Sequence, residues 1–385
     1  MTSLSRRRLI GRGAALGAAA LAAPIAAGPA AAATGSADTV KPFPGTPVEE
    51  ETKSLDQLYA DARREGGKLV IYAGGDTSDQ QDGTKQAFLA QFPDIDLTTV
   101  VDYSKYHDVR IDNQLATDTL VPDVVQLQTL QDFTRWKKQG ALLPYKPAGF
   151  SKLYDGFRDP DGAWLAIAVG AFSYMYDASL GAQGPATPYE LADTRWQGAI
   201  SSSYPNDDDA ILFLYTLYAQ AYGFDWLSRL AAQKIAFGRG TPTPITAVVS
   251  KQKQVGIGGF GSLARQLAPG VTWVVADGHP FMSWGQRAAI LRGAKHPAAA
   301  KLYLNWSISS AVQQTSVNGW SVRTDVTPTG GLKPIWQYRN AHLDEFPRFM
   351  ADRAEAERWR QTFTLYFGEV QGAPTPGWLG LHPGQ

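Results

Sequence analysis

The chain contains no cysteine. That excludes disulfides, thiolate metal sites and a cysteine nucleophile. It also excludes the lipid attachment of bacterial lipoproteins, which needs a cysteine at the cleavage point. The chain has no excess of charge of either sign: 36 Lys and Arg are balanced by 36 Asp and Glu. A nucleic-acid partner would want a basic surface, so none is expected. Five histidines, His107, His279, His296, His342 and His382, are scattered and form no H-x-x-x-H pair. G-x-S-x-G, H-E-x-x-H and P-loop motifs are all missing. No apolar run reaches the roughly 20 residues of a membrane span.

What is present starts with an address. Arg6, Arg7 and Arg8 precede Leu9-Ile10, a mildly apolar Ala/Gly/Leu run spans Ala14 to Ala27, and Ala31-Ala32-Ala33 follows. A charged start, an apolar middle and small residues at the end make a secretory signal. Paired arginines before Leu-Ile indicate a twin-arginine signal, over residues 1–33. The expected mature N-terminus lies between Thr34 and Thr39. Residues 34–53, rich in Pro, Thr, Gly and Glu, read as a flexible linker.

Beyond it the pattern alternates. Leu69–Tyr72, Leu97–Val101 and Asp123–Leu127 are short apolar strands, interleaved with helical periodicity over Gln80–Phe92, Tyr106–Thr117 and Thr129–Gln139. That is the signature of parallel βαβ units. Trp164–Val169 and Phe172–Tyr176 read as two strand-like runs around Gly170. A second α/β stretch has strands at Ala199–Ser201, Val255–Ile257 and Val271–Ala276. Its helices are expected over Asp207–Tyr222, with Asn206 as N-cap, over Trp226–Gln233 and over Ile245–Lys251. After Trp284 the pattern predicts helices over Gln286–Arg292, Pro297–Ser307, Ala311–Ser316 and Asp352–Tyr366. The fold class is therefore α/β in two lobes: residues 54–168 plus 284–385 form the first, and 169–283 are inserted as the second.

Polar loops at helix starts supply candidate ligand contacts. Gly75, Asp76, Thr77 and Ser78 follow the first strand, where free backbone N–H groups and hydroxyls can meet an oxyanion or a hydroxylated solute. Gln126 and Gln128 end the third strand. Ser203, Tyr204 and Asn206 form the equivalent loop of the second lobe. Arg239 and Thr241 precede a short helix and could clamp an anion. Phe260 and Ser262 follow the Val255–Ile257 strand. The Asp207-Asp208-Asp209 run is read as a complement to a helix dipole rather than a metal site.

Five stretches, taken in order, resemble the solute-binding proteins of ABC importers, in the branch with ferric-iron, thiamine, phosphonate and sugar-phosphate binders. They are GKLVIYAGG, VPDVVQLQTLQDFTRWKKQGALLPY, TRWQGAIS, AAILRGAKHPAAAKLYLNWSISSAVQQ and NGWSVRTDV. The resemblance runs from about Gly67 to Gln371. It implies a type 2 periplasmic-binding-protein fold, with the ligand in a cleft and two hinge crossings near Ala168–Ser173 and Asp277–Ser283, so that His279 would reach the cleft. It implies a monomer that is not an enzyme, carries no cofactor or metal, is exported by the twin-arginine translocase to the periplasm or beyond, and serves an inner-membrane ABC permease. The expected ligand is a small polar or anionic molecule: a phosphorylated sugar, phosphonate or carboxylate. Ferric iron is the alternative, although Phe260 and Gly261 stand about where ferric binders of the branch carry a tyrosine pair. An exported hydrolase or lyase is the alternative of another class.

Overall fold

A computed structural model describes residues 47–377. The expected signal at 1–33, the first part of the expected linker and His382 lie outside the described residues. The elements begin with α1 (Leu55–Glu65), β1 (Lys68–Gly74), α2 (Asp82–Gln91), β2 (Asp96–Asp102), α3 (Ser104–Ala116), β3 (Val124–Leu127) and α4 (Leu130–Lys138). Next come β4 (Leu142–Leu143), β5 (Leu165–Asp177), β6 (Ile200–Ser203), α5 (Asp209–Ala231), β7 (Ala236–Gly238), α6 (Pro242–Val249) and β8 (Val255–Phe260). The chain ends in β9 (Val271–Val274), β10 (Met282–Leu291), α7 (Pro297–Ser307), α8 (Ser310–Gln313), α9 (Glu345–Ala351) and α10 (Arg353–Phe367).

One sheet runs through the molecule in the order β2-β1-β3-β10-β5-β8-β6-β7, with β4 and β9 at its sides. β1 pairs parallel with β2 and β3, and β6 pairs parallel with β7 and β8, so each lobe holds the parallel units that the alternating pattern implies. The long antiparallel pair β5 and β10 joins the two halves and forms the crossings. Its register sets Gly170 opposite Trp284. A Cβ at Gly170 would come within 2.4 Å of the Trp284 ring, so the indole fits there only against glycine.

Several sequence expectations are corrected. The stretch expected as a helix over Gln286–Arg292 is instead the second half of β10, up to Leu291, which is largely buried and paired on both edges. Tertiary pairing overrides the helix preference of Ala, Gln and Arg there. The runs on either side of Gly170 are one continuous strand, β5. The helices expected over Asp207–Tyr222 and Trp226–Gln233 lie on one element, α5, interrupted at Gly223 (φ 82°, ψ 171°). Its N-cap is Asp208, whose carboxylate accepts from the Ala210 and Ile211 N–H groups at 2.9 Å; Asn206 lies too early to do so.

The two largest apolar centres hold the lobes. One gathers Leu69, Ile71, Phe88, Leu302, Trp306 and Trp320, and the other gathers Phe172, Ile211, Leu214, Tyr218, Ile257 and Phe363. The second includes the C-terminal helices. Phe346 and Phe349 stack on Phe213 at 5.3 and 5.1 Å, and Phe363 meets Tyr215 at 5.7 Å. Residues 345–367 therefore pack on the inserted lobe, although the boundary at 284 would assign them to the first. The last linker residues are docked as well. Glu50 forms a parallel backbone β-bridge with Lys146 and accepts from Ser151 N–H at 2.9 Å, and the Tyr145 hydroxyl donates to Glu51 at 3.1 Å. Among the described residues no helix is long and apolar enough to cross a membrane.

Candidate functional site

A cavity of ≈ 910 Å³ lies between the lobes. The carboxyl ends of β1 and β3 supply Gly75, Asp76, Gln126 and Gln128 to one wall. The opposing wall is Asp207, Asp208, Gly240 and Phe260. The crossing strands form its floor through Val169, Gly170, Phe172 and Trp284. Strand ends and helix starts converge here because parallel α/β units leave their loops on the same edge.

The floor and first wall are held rigid by amides. The Tyr303 hydroxyl donates to Gln126 Oε1 at 2.7 Å, Gln126 Nε2 reaches Gln81 Oε1 at 3.3 Å, and Gln81 Nε2 donates to the Gly74 carbonyl at 3.1 Å. The Trp284 indole N–H donates to Gln286 Oε1 at 2.9 Å. Phe260 closes edge-on over Phe172 at 4.8 Å.

Polar contacts cross from lobe to lobe. Arg239 donates Nε and Nη2 to the two oxygens of Asp207 at 2.7 and 3.0 Å, and its Nη2 also reaches the Tyr106 hydroxyl at 3.1 Å. Lys105, on the first lobe, donates to the Asp207 carbonyl at 2.6 Å and forms an ion pair with its carboxylate. Thr241 donates its N–H to Asp76 Oδ2 at 3.2 Å and its hydroxyl to the same oxygen. Thr375, beyond α10, donates its N–H to the Tyr103 hydroxyl at 3.0 Å and its hydroxyl to the Asp76 carbonyl. The lobes are thus closed on each other.

The carboxylates are tuned apart. Burial works to raise Asp207, but the hydrogen bond from Arg239 and the charge of Lys105 outweigh it and hold the carboxyl below its ordinary range. Asp208 forms no ion pair among the described residues; burial, then repulsion from Asp76, pushes it up to about 7 against the weaker pull of Lys105. Asp76 is raised by burial, against the opposing hydrogen bonds from Thr241.

Of the candidates, Gly75, Asp76, Gln126, Gln128 and Phe260 line the cavity. The others have different employment. Thr77 and Ser78 sit on the turn outside it, with Ser78 exposed. Ser203 donates to the Gly240 carbonyl at 2.9 Å, Tyr204 stacks on Phe237 at 5.1 Å, and Asn206 anchors α10 through Thr364 Oγ1 at 2.8 Å. Arg239 and Thr241 spend their donors on Asp207 and Asp76. Ser262 donates to the Asn318 carbonyl at 3.0 Å. His279 faces Tyr222 across 2.8 Å rather than the cleft. Lys105, Asp207, Asp208, Gln286 and Trp306 also line the cavity and were not among the candidates. Lys105 was findable, since it follows the carboxyl end of β2 as Asp76 follows that of β1. Asp207 and Asp208 were visible as a run, but their capping role hid the cleft-facing one.

Residues 120–258 match the family model described as bacterial extracellular solute-binding protein. Similar solved structures include iron-bound HitA from Pseudomonas aeruginosa, 18% identical, covering 77% of this chain and 99% of that one at a TM-score of 0.56. AfuA from Actinobacillus pleuropneumoniae, bound to fructose-6-phosphate, is 20% identical over 78% of this chain and 99% of its own, at 0.59. An ABC-transporter substrate-binding protein from Agrobacterium tumefaciens is 14% identical over 78% and 94%, at 0.65. The family match spans residues 120–258, and the solved structures, at 14 to 20% identity, show that the chain shares their fold. No protein of curated function matches its sequence. The chain has the two-lobed fold that the motif order implies.

Proposed function

We propose that the protein captures one small organic solute in the inter-lobe cleft, closes over it, and presents it to an ABC permease of the inner membrane. The observation that carries this reading is the cavity itself: both lobes and both crossing strands line it, and a hinge between them can trap what it holds. A volume of ≈ 910 Å³ suits an organic molecule better than a lone ion. We place its export with the twin-arginine translocase, on the strength of Arg6–Arg8, and its working state as a monomer in the periplasm or outside the cell.

The anionic ligand suggested by the loops finds little support, because the cavity's one basic side chain among the described residues, Lys105, is already engaged by Asp207. The ferric alternative is weakened too. Phe260 offers no oxygen, Tyr204 stacks on Phe237, and no group of three His, Asp or Glu among the described residues is placed to hold a metal. For the hydrolase or lyase alternative, no histidine among the described residues lines the cavity to serve as a base.

The test is mass spectrometry of the molecules released when the purified protein is denatured, followed by small-angle scattering with the identified solute. Release of a stoichiometric solute and a smaller radius of gyration when it is added back are expected. A bound solute that left the scattering and the melting temperature unchanged would refute closure, since binding at a hundredfold excess over Kd stabilises the native state by about 2.7 kcal/mol.

A further inference from the structure

The charges around the cleft do not cancel. Its acidic and basic lining among the described residues comprises Asp76, Asp207, Asp208, Asp209 and Lys105. Asp207 takes both Lys105 and Arg239, and Asp209 takes Arg360 at 2.8 Å. No basic side chain among the described residues forms an ion pair with Asp76 or Asp208. Asp76 is 9% exposed, and its hydrogen bonds from Thr241 all go to Oδ2, leaving Oδ1 without a partner among the described residues. Asp208 spends Oδ1 on capping α5, with Gln128 Nε2 at 3.5 Å from the same atom. Two buried carboxylates thus face a largely apolar cleft with no ion pair of their own, a costly arrangement unless they take up protons or a cation joins them.

The rest of the chamber limits what that cation can be. Phe260 is 38% exposed, and Phe172 and Trp284 pack behind it. Ile167, Trp306 and Val312 line the cavity from the first lobe. Aromatic and aliphatic walls give nothing to a hard metal ion, which wants six or more oxygens. They suit the body of an organic cation, whose charge also gains from ring faces.

We propose that the cleft binds an organic ammonium, its charged head between Asp76 and Asp208 and its apolar body against Phe260 and Trp306. This rests on the solute-binding reading above and names the ligand class for the same site.

The experiment titrates the mature chain calorimetrically at neutral pH with matched probes of opposite charge, phenethylamine against hydrocinnamate and putrescine against succinate. It is repeated on Asp208→Asn and Asp76→Asn. Asparagine caps a helix about as well as aspartate, so the first variant keeps α5 in place. At least one amine is expected to bind and raise Tm while its carboxylate partner does neither, and each substitution should weaken that amine by about tenfold or more. Tighter binding of a carboxylate, or amine binding unchanged in both variants, overturns the ammonium assignment. Mass spectrometry of the solute released from the native protein gives an independent reading. A cationic solute supports the assignment. An anionic or neutral one overturns it and leaves solute binding intact. A protein that releases nothing and responds to no probe overturns both.

Discussion

Asp207→Asn tests whether the lobes are held together as the contacts indicate. The Asp207 side chain is 8% exposed and receives two hydrogen bonds from Arg239, itself 9% exposed, together with the ion pair from Lys105. Asparagine keeps one acceptor and loses the charge. Arg239 would then be buried with the Tyr106 hydroxyl and the Gly372 carbonyl as its remaining partners. Removing one member of a buried pair costs about 3 kcal/mol or more, because the other charge stays uncompensated. At about 2 °C per kcal/mol for a chain of this size, Tm should fall by about 6 °C at pH 7. The pH dependence has a fixed sign. The folded carboxyl lies below its ordinary value of 3.8, so the stabilisation is complete above the unfolded value and is lost as pH falls through the folded one. Scanning calorimetry at pH 7, 5 and 3 should therefore show a deficit that is constant between the first two and shrinks at the third. Scattering from the unliganded variant should also show a larger radius of gyration, since Lys105 and Asp207 belong to opposite lobes. A loss below about 1 kcal/mol at pH 7, or an equal loss at pH 3, would refute this account of the closed state.

Three further outcomes follow from single features. Asp208→Asn should raise the Tm of the ligand-free protein near pH 7, by the equivalent of about 1–3 kcal/mol, because it removes a carboxylate whose folded value is pushed up to about 7 while keeping the cap. The gain should vanish below the unfolded value of 3.8, where both states are protonated, and a destabilised variant at pH 7 would contradict it. Gly223→Ala should cost about 1–3 kcal/mol in thermal unfolding. A Cβ there meets nothing within 4 Å, so the whole penalty is backbone strain at φ 82° and ψ 171°. Changing Arg6, Arg7 and Arg8 to Lys should leave precursor inside the cell on a fractionation blot; normal export would remove the twin-arginine assignment.

The order of elements was legible because short apolar strands alternate with amphipathic helices, and that period depends on local sequence alone. β1, β2 and β3 and the helices between them stand within a few residues of where the pattern puts them. The family resemblance also rested on linear segments. The C-terminal half of β10 was not legible, since Gln286–Leu291 favours a helix and becomes a strand only through β3 and β5 on its two edges. The destination of α9 and α10 was likewise invisible, because an apolar helical face does not say which lobe will cover it. For the site, the rule that strand ends face the cleft found Asp76, Gln126 and Gln128. It could not foresee that Arg239 and Thr241 would turn to Asp207 and Asp76 instead of a ligand. Which polar group stays free for a solute depends on which neighbours neutralise it across the lobes. Sequence determined that a run of aspartates opens α5; only the closed tertiary structure decided that Asp207 is ion-paired with two cations while Asp208 forms no ion pair among the described residues.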